Sequence, residues 1–106
     1  MIKNLPITIK VMVEYDCWCF WNSNFSDELS GNFSADHFDL SEGLREEIET
    51  WVDIFQTTFV RDNPIDSGFK EDAEVVEFNS MGDRIVEKLS IEVPEVNWIH
   101  APYPMV

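Results

Sequence analysis

Two cysteines stand two residues apart in the stretch Tyr15-Asp16-Cys17-Trp18-Cys19-Phe20-Trp21-Asn22, among four of the chain's fourteen aromatic residues. Such a pair could form a disulfide, hold a metal or supply a thiolate nucleophile. The spacing argues against each. On a strand both side chains point the same way with α-carbons about 6.5–7 Å apart, at or beyond the reach of a relaxed bridge. A zinc site needs further ligands, and the only histidines, His37 and His100, lack the Cys/His spacing of a zinc module. A nucleophilic thiol needs a base and an electropositive setting, whereas the nearest charges are Glu14 and Asp16, which disfavour thiolate. The cysteines read as small core residues, with no metal and no cofactor expected.

Other reactive constellations are weaker. The chain has no glycine-rich phosphate loop, no serine nucleophile elbow and no HExxH motif. Carboxylates are so frequent that any two fall at useful spacing, so no general acid/base pair stands out. The least poor dyad is His37 with Asp36 or Asp39, and it reads more simply as a solvated loop histidine beside a helix cap. No catalytic residue and no enzyme activity are expected.

The elements that would carry these residues follow from periodicity. Ile7, Ile9, Val11, Val13, Tyr15, Cys17, Cys19 and Trp21 alternate with mainly polar neighbours, predicting one long strand, or two strands in line, with its odd face buried. Trp18 and Phe20 on the even face imply cover on both sides at one end. The polar stretch that follows is an ordered loop pinned by Phe25, Phe33 and Phe38, with room for a short strand around residues 31–34. Asp39 as N-cap with Glu42 three residues on predicts a helix start, and Leu44, Ile48, Trp51, Val52, Phe55 and Phe59 predict an amphipathic helix over about residues 41–59. Pro64 and Gly68 break it. Val75, Phe78, Gly82, Ile85, Val86 and Leu89 mark a second helix over about residues 71–91, with Gly82 allowing close approach, and a short strand with Val96 and Trp98 follows Pro94. The order predicts one small α+β domain over residues 1–106, a long N-terminal strand and a short C-terminal strand in a small sheet, with two helices packed on one face. Parallel pairing of the last strand with the first is plausible from the long connection, and the segment near Phe33 could add an antiparallel strand.

Charge narrows the functional class. Twenty-one acids against seven bases give −14 at pH 7 over 106 residues. Residues 1–22 are neutral, residues 23–62 hold ten acids and two arginines, and residues 63–106 hold nine acids and three bases. Such a field repels nucleic acid and anionic membrane and steers basic partners toward the protein. No apolar run is long enough to span a bilayer and the N-terminus lacks signal-peptide features, so a cytoplasmic protein is expected.

With chemistry disfavoured, the whole pattern matters. The strand "IKVMVEYDCWCFWN", the helix "GLREEIETWVDIFQTTF", the loop "NPIDSGF" and the helix "AEVVEFNSMGDRIVEKL" leading to "VNWIH" resemble small acidic immunity proteins of polymorphic toxin systems, including those of contact-dependent growth inhibition. The resemblance spans about residues 11–100. It is carried by Tyr15, Cys17 and Trp21, by Trp51, by Ser67-Gly68-Phe69, and by the Phe78, Gly82, Ile85, Leu89 spacing. The chain departs from the commoner pattern at Cys19-Phe20, where Pro-Leu often precedes the tryptophan. The resemblance implies a protein that does no chemistry and binds the toxin domain of its own system in a 1:1 heterodimer. That toxin is often a nuclease with a basic cleft, so the implied act is occlusion of an RNase or DNase active site.

For the partner surface, the loop and first helix offer Asp27, Glu28, Asp36, Asp39, Glu42, Glu46, Glu49 and Asp53 beside the aromatic Phe25, Phe33 and Phe38, with Asp62 and Asp66 as an extension. The second helix offers Glu71, Asp72, Glu74, Glu77 and Glu87. The first group is favoured because anchors and charge lie together on a loop that can be shaped to a cleft. The alternative functions are an acidic decoy that mimics nucleic acid and an adaptor subunit for another basic protein.

Overall fold

The computed structural model describes residues 8–24, 26–27 and 30–104. Four short strands form a mixed sheet: β1 (Thr8–Val11), β2 (Phe20–Asn22), β3 (Gly31–Phe33) and β4 (Asn97–His100), in the order β3-β2-β1-β4. Helix α1 (Glu42–Gln56) and helix α2 (Asp72–Glu92) form the connection between β3 and β4. β1 pairs with β2 antiparallel and with β4 in parallel, Ile9 opposite Trp98, and β3 adds antiparallel to β2, as the α+β reading expects.

The long first strand is a hairpin instead. Val11 pairs with Phe20, and the chain reverses through a turn in which the Cys17 amide donates to the Glu14 carbonyl at 3.3 Å. Asp16 takes a left-handed φ of 58°, a conformation short polar side chains tolerate better than most. Pairing 11 with 20 sets odd residues of β1 opposite even residues of β2. The inward set is therefore Ile9, Val11 and Phe20, whereas Trp21 lies opposite Lys10 on the outer face, the reverse of a single alternating strand.

Both helices pack on the inner face. Leu44, Ile48, Trp51 and Phe55 of α1 and Val75, Phe78, Gly82, Ile85 and Leu89 of α2 are buried at three- and four-residue spacing. Trp51 is the keystone, 1% exposed, stacked on Phe78 at 4.9 Å and donating its indole N–H to the Phe78 carbonyl at 2.9 Å. Phe20, Phe33, Phe38 and Trp98 form a second aromatic cluster under the sheet, with centroids 5.1–6.3 Å apart.

The start of α1 also differs from expectation. Its N-cap is Ser41, whose hydroxyl accepts from the Leu44 amide at 3.3 Å, while Asp39 stays outside the helix and Glu42 becomes its first residue. Ser41 wins because its hydroxyl reaches the third helical amide. The same hydroxyl donates to Glu92 at 2.6 Å, and the Ser41 amide donates to the other Glu92 oxygen at 2.7 Å, so the end of α2 is tied to the start of α1. Among the described residues no helix is long and apolar enough to cross a membrane.

Candidate functional site

The acids of α1 fall into a single row. Glu42, Glu46, Glu49 and Asp53 recur at four, three and four residues, which puts them on one helix face, and all four are exposed. By the helical rise the row is about 16 Å long. Glu47, off that row, faces α2 and receives Lys88 at 2.5 Å. Asp36, on a short 3-10 turn (Ala35–His37), pairs with Arg45 rather than with His37, so the supposed histidine dyad does not form. Asp39 is exposed beside the helix start.

One helical turn beyond Asp53 the row reaches Gln56, whose side chain holds the β1–β2 turn. Its amide donates to the Glu14 carbonyl at 2.9 Å and its carbonyl accepts from the Asp16 amide at 3.2 Å. From the other side Asn32 of β3 accepts from the Trp18 amide at 3.1 Å and donates to the carbonyls of Trp18 and Phe20 at 2.7 and 3.1 Å. Two amide clamps thus fix the turn against α1 and β3. They present Trp18, 59% exposed, at the mouth of a cleft of about 300 Å³ lined also by Asp36, Ile48, Glu49 and Asp53.

Other expected site residues are placed elsewhere. Phe33 and Phe38 are 4% and 6% exposed within the core, so neither is available as a surface anchor. Hydrophobicity near charge suggested an anchor, but burial under the sheet claims both rings. Asp27 is half-buried and organises its own loop, accepting from Asn22 at 2.9 Å and from Asn24 at 3.3 Å. Asp66 accepts from Asn63 at 2.7 Å in the connection between the helices, and Asp62 is exposed there. Phe25 and Glu28 lie outside the described residues. Trp18, which reads as packing in the sequence, is exposed instead. The Asp in Glu14-Tyr15-Asp16-Cys17 was the available sign of a turn there.

The cysteines and histidines offer little chemistry. Cys19 is buried, and desolvation pushes its thiol up to about 12, opposite to what a nucleophile needs. His100 has a side chain only 7% exposed, with Nδ1 2.6 Å from Asp83 and Nε2 turned toward Gly82. No group of three or more potential ligands is positioned for a metal among the described residues.

What the geometry offers is an acidic helix face beside an exposed indole. The profile of the Serratia CdiI immunity protein-like family matches residues 7–100. The chain belongs to the Serratia CdiI immunity protein-like family. No curated protein matches it. As a CdiI-like protein it is an immunity protein of contact-dependent growth inhibition, whose partner is a cognate toxin. The matched span takes in all four strands, both helices and the Trp18 turn.

Proposed function

We propose that this CdiI-like protein acts in the cytoplasm, where it binds the toxin domain of its own system one to one, without catalysis, and blocks the active site of a basic nuclease. The observation that carries this reading is the exposed row Glu42, Glu46, Glu49 and Asp53 with Asp36 at its flank. Carboxylates spaced along one rigid helix can take the places of phosphates against Lys and Arg of a nucleic-acid cleft, and their field speeds encounter. The acids of α2 serve as the comparison surface, because Glu74, Glu77 and Glu87 are also exposed.

Charge reversal in two blocks tests the assignment. Asp36, Glu46 and Glu49 are changed to Lys in one protein, and Glu74, Glu77 and Glu87 in another. Affinity for the toxin domain of its own system is then measured at low and high salt, together with nuclease activity on RNA and DNA. Loss in the first block alone supports the reading, and loss in the second alone moves the interface to α2. Binding to several unrelated basic nucleic-acid enzymes with similar affinity would show a decoy instead.

A further inference from the structure

Trp18 is a large apolar ring held in water by a turn that cannot easily withdraw it. Asn32 bonds the backbone on both sides of the ring, and Gln56 holds Asp16 in its left-handed conformation. A tryptophan carried on a turn fixed in this way is a preorganised anchor, because little backbone freedom remains to be lost when a partner covers it. The cleft beside it carries Glu49 and Asp53, neither of which makes an ion pair among the described residues, whereas Asp36 in the same lining is paired with Arg45, and no basic side chain of the described residues lines it.

We infer that the cleft between Trp18 and α1 is the docking site for an arginine-bearing segment of the toxin, with the guanidinium stacked on the indole and directed to Glu49 and Asp53. This rests on the immunity reading and specifies its central contact. Charge complementarity selects the occupant. An apolar side chain would desolvate two carboxylates without compensation, and a phosphate would meet like charge. Arginine suits the site better than lysine, since its planar, weakly hydrated fork can stack on an aromatic face and bond carboxylates at once.

The test titrates the purified cognate toxin domain into the intact protein while acrylamide quenches tryptophan fluorescence. Trp51 and Trp98 are buried and Trp21 is half-buried, so Trp18 dominates the quenchable signal. Toxin is expected to protect that signal. Trp18→Ala is expected to weaken Kd by about 30-fold or more and Trp18→Phe by less than about 10-fold, with far-UV circular dichroism unchanged. Replacing one surface arginine of the toxin by alanine should erase most of the difference between wild type and Trp18→Ala. Toxin that binds tightly while Trp18 stays quenchable and Trp18→Ala binds as wild type overturns this docking site and leaves the immunity reading standing. Toxin that does not bind the wild-type protein at all overturns both.

Discussion

The imidazole of His100 fills the space that a side chain at residue 82 would need. A β-carbon on Gly82 would lie 2.5 Å from His100 Nε2 and 2.9 Å from Trp51 Cζ2. Neither ring is a loose chain end, since the His100 side chain is 7% exposed and Trp51 is 1% exposed. Residues of α2, α1 and β4 meet at this point, and glycine leaves room for both rings.

Gly82→Ala is therefore expected to destabilise the fold. Overpacking costs about 1–3 kcal/mol in a filled core, which exceeds the gain of about 1 kcal/mol in helix propensity. Chemical denaturation should show a lower midpoint at unchanged slope. The double variant with His100→Ala should lose less than the sum of the two single losses, because the nearer of the two clashing rings is gone.

Gln56 should matter more for binding than for folding. Its amide makes two hydrogen bonds, at 2.9 and 3.2 Å, to the turn that carries Trp18. Gln56→Ala is expected to cost about 1 kcal/mol in stability, as exposed hydrogen bonds do, and to weaken toxin affinity by loosening the indole. Isothermal titration should show the loss mainly as a less favourable binding entropy, because the turn must then be ordered on contact. Unchanged affinity would mean that Trp18 does not need the clamp.

The tie between the helices gives a pH signature. Hydrogen bonds from the Ser41 hydroxyl and amide hold the Glu92 carboxyl below its ordinary value. A lowered folded-state pKa means that the carboxylate contributes stability above the unfolded value, near 4.3 for glutamate, and that this contribution fades as pH falls through the folded value. The gap in thermal midpoint between wild type and Glu92→Gln should thus be constant near neutrality and close below about pH 4. A gap that does not change with pH would show that the tie works without the charge.

Cys19 gives the opposite, alkaline signature. Burial raises its thiol to about 12 while an unfolded cysteine titrates near 9. Its contribution is full below the unfolded value and is lost as pH rises between the two. Cys19→Ala should therefore lower stability by about 1–2 kcal/mol through lost volume at neutral pH, yet reduce the alkaline loss seen in the wild type. A thiol reagent should modify the half-exposed Cys17 in the native protein and reach Cys19 only on unfolding.

The sequence showed the helices well and the first strand badly, for physical reasons. Buried positions in α1 and α2 repeat at helical spacing over fifteen and twenty-one residues, so the pattern is long and redundant. The pairing of β4 with β1 and the extra strand at residues 31–33 followed from connection length and local composition. The hairpin did not, because Tyr15, Cys17 and Trp18 favour strands and the turn depends on one left-handed aspartate and on side-chain amides from distant elements. The acidic row of α1 was legible from spacing. Trp18 was not, since an aromatic in an apolar run looks the same whether a turn exposes it or a strand buries it.

The parallel pairing of Thr8–Val11 with Asn97–His100 also sets a timetable for synthesis. A ribosome delivers β1 first and its neighbour β4 only after both helices have emerged, so one side of β1 stays unpaired until then. Ile9 and Val11, both 0% exposed in the finished protein, have no completed sheet to lie in until Trp98 arrives. A chain that stalls before residue 97 is left with an open hydrogen-bonding edge, a substrate for chaperones and proteases. For an immunity protein this ties protection to the arrival of β4, however early β1 and the helices have emerged.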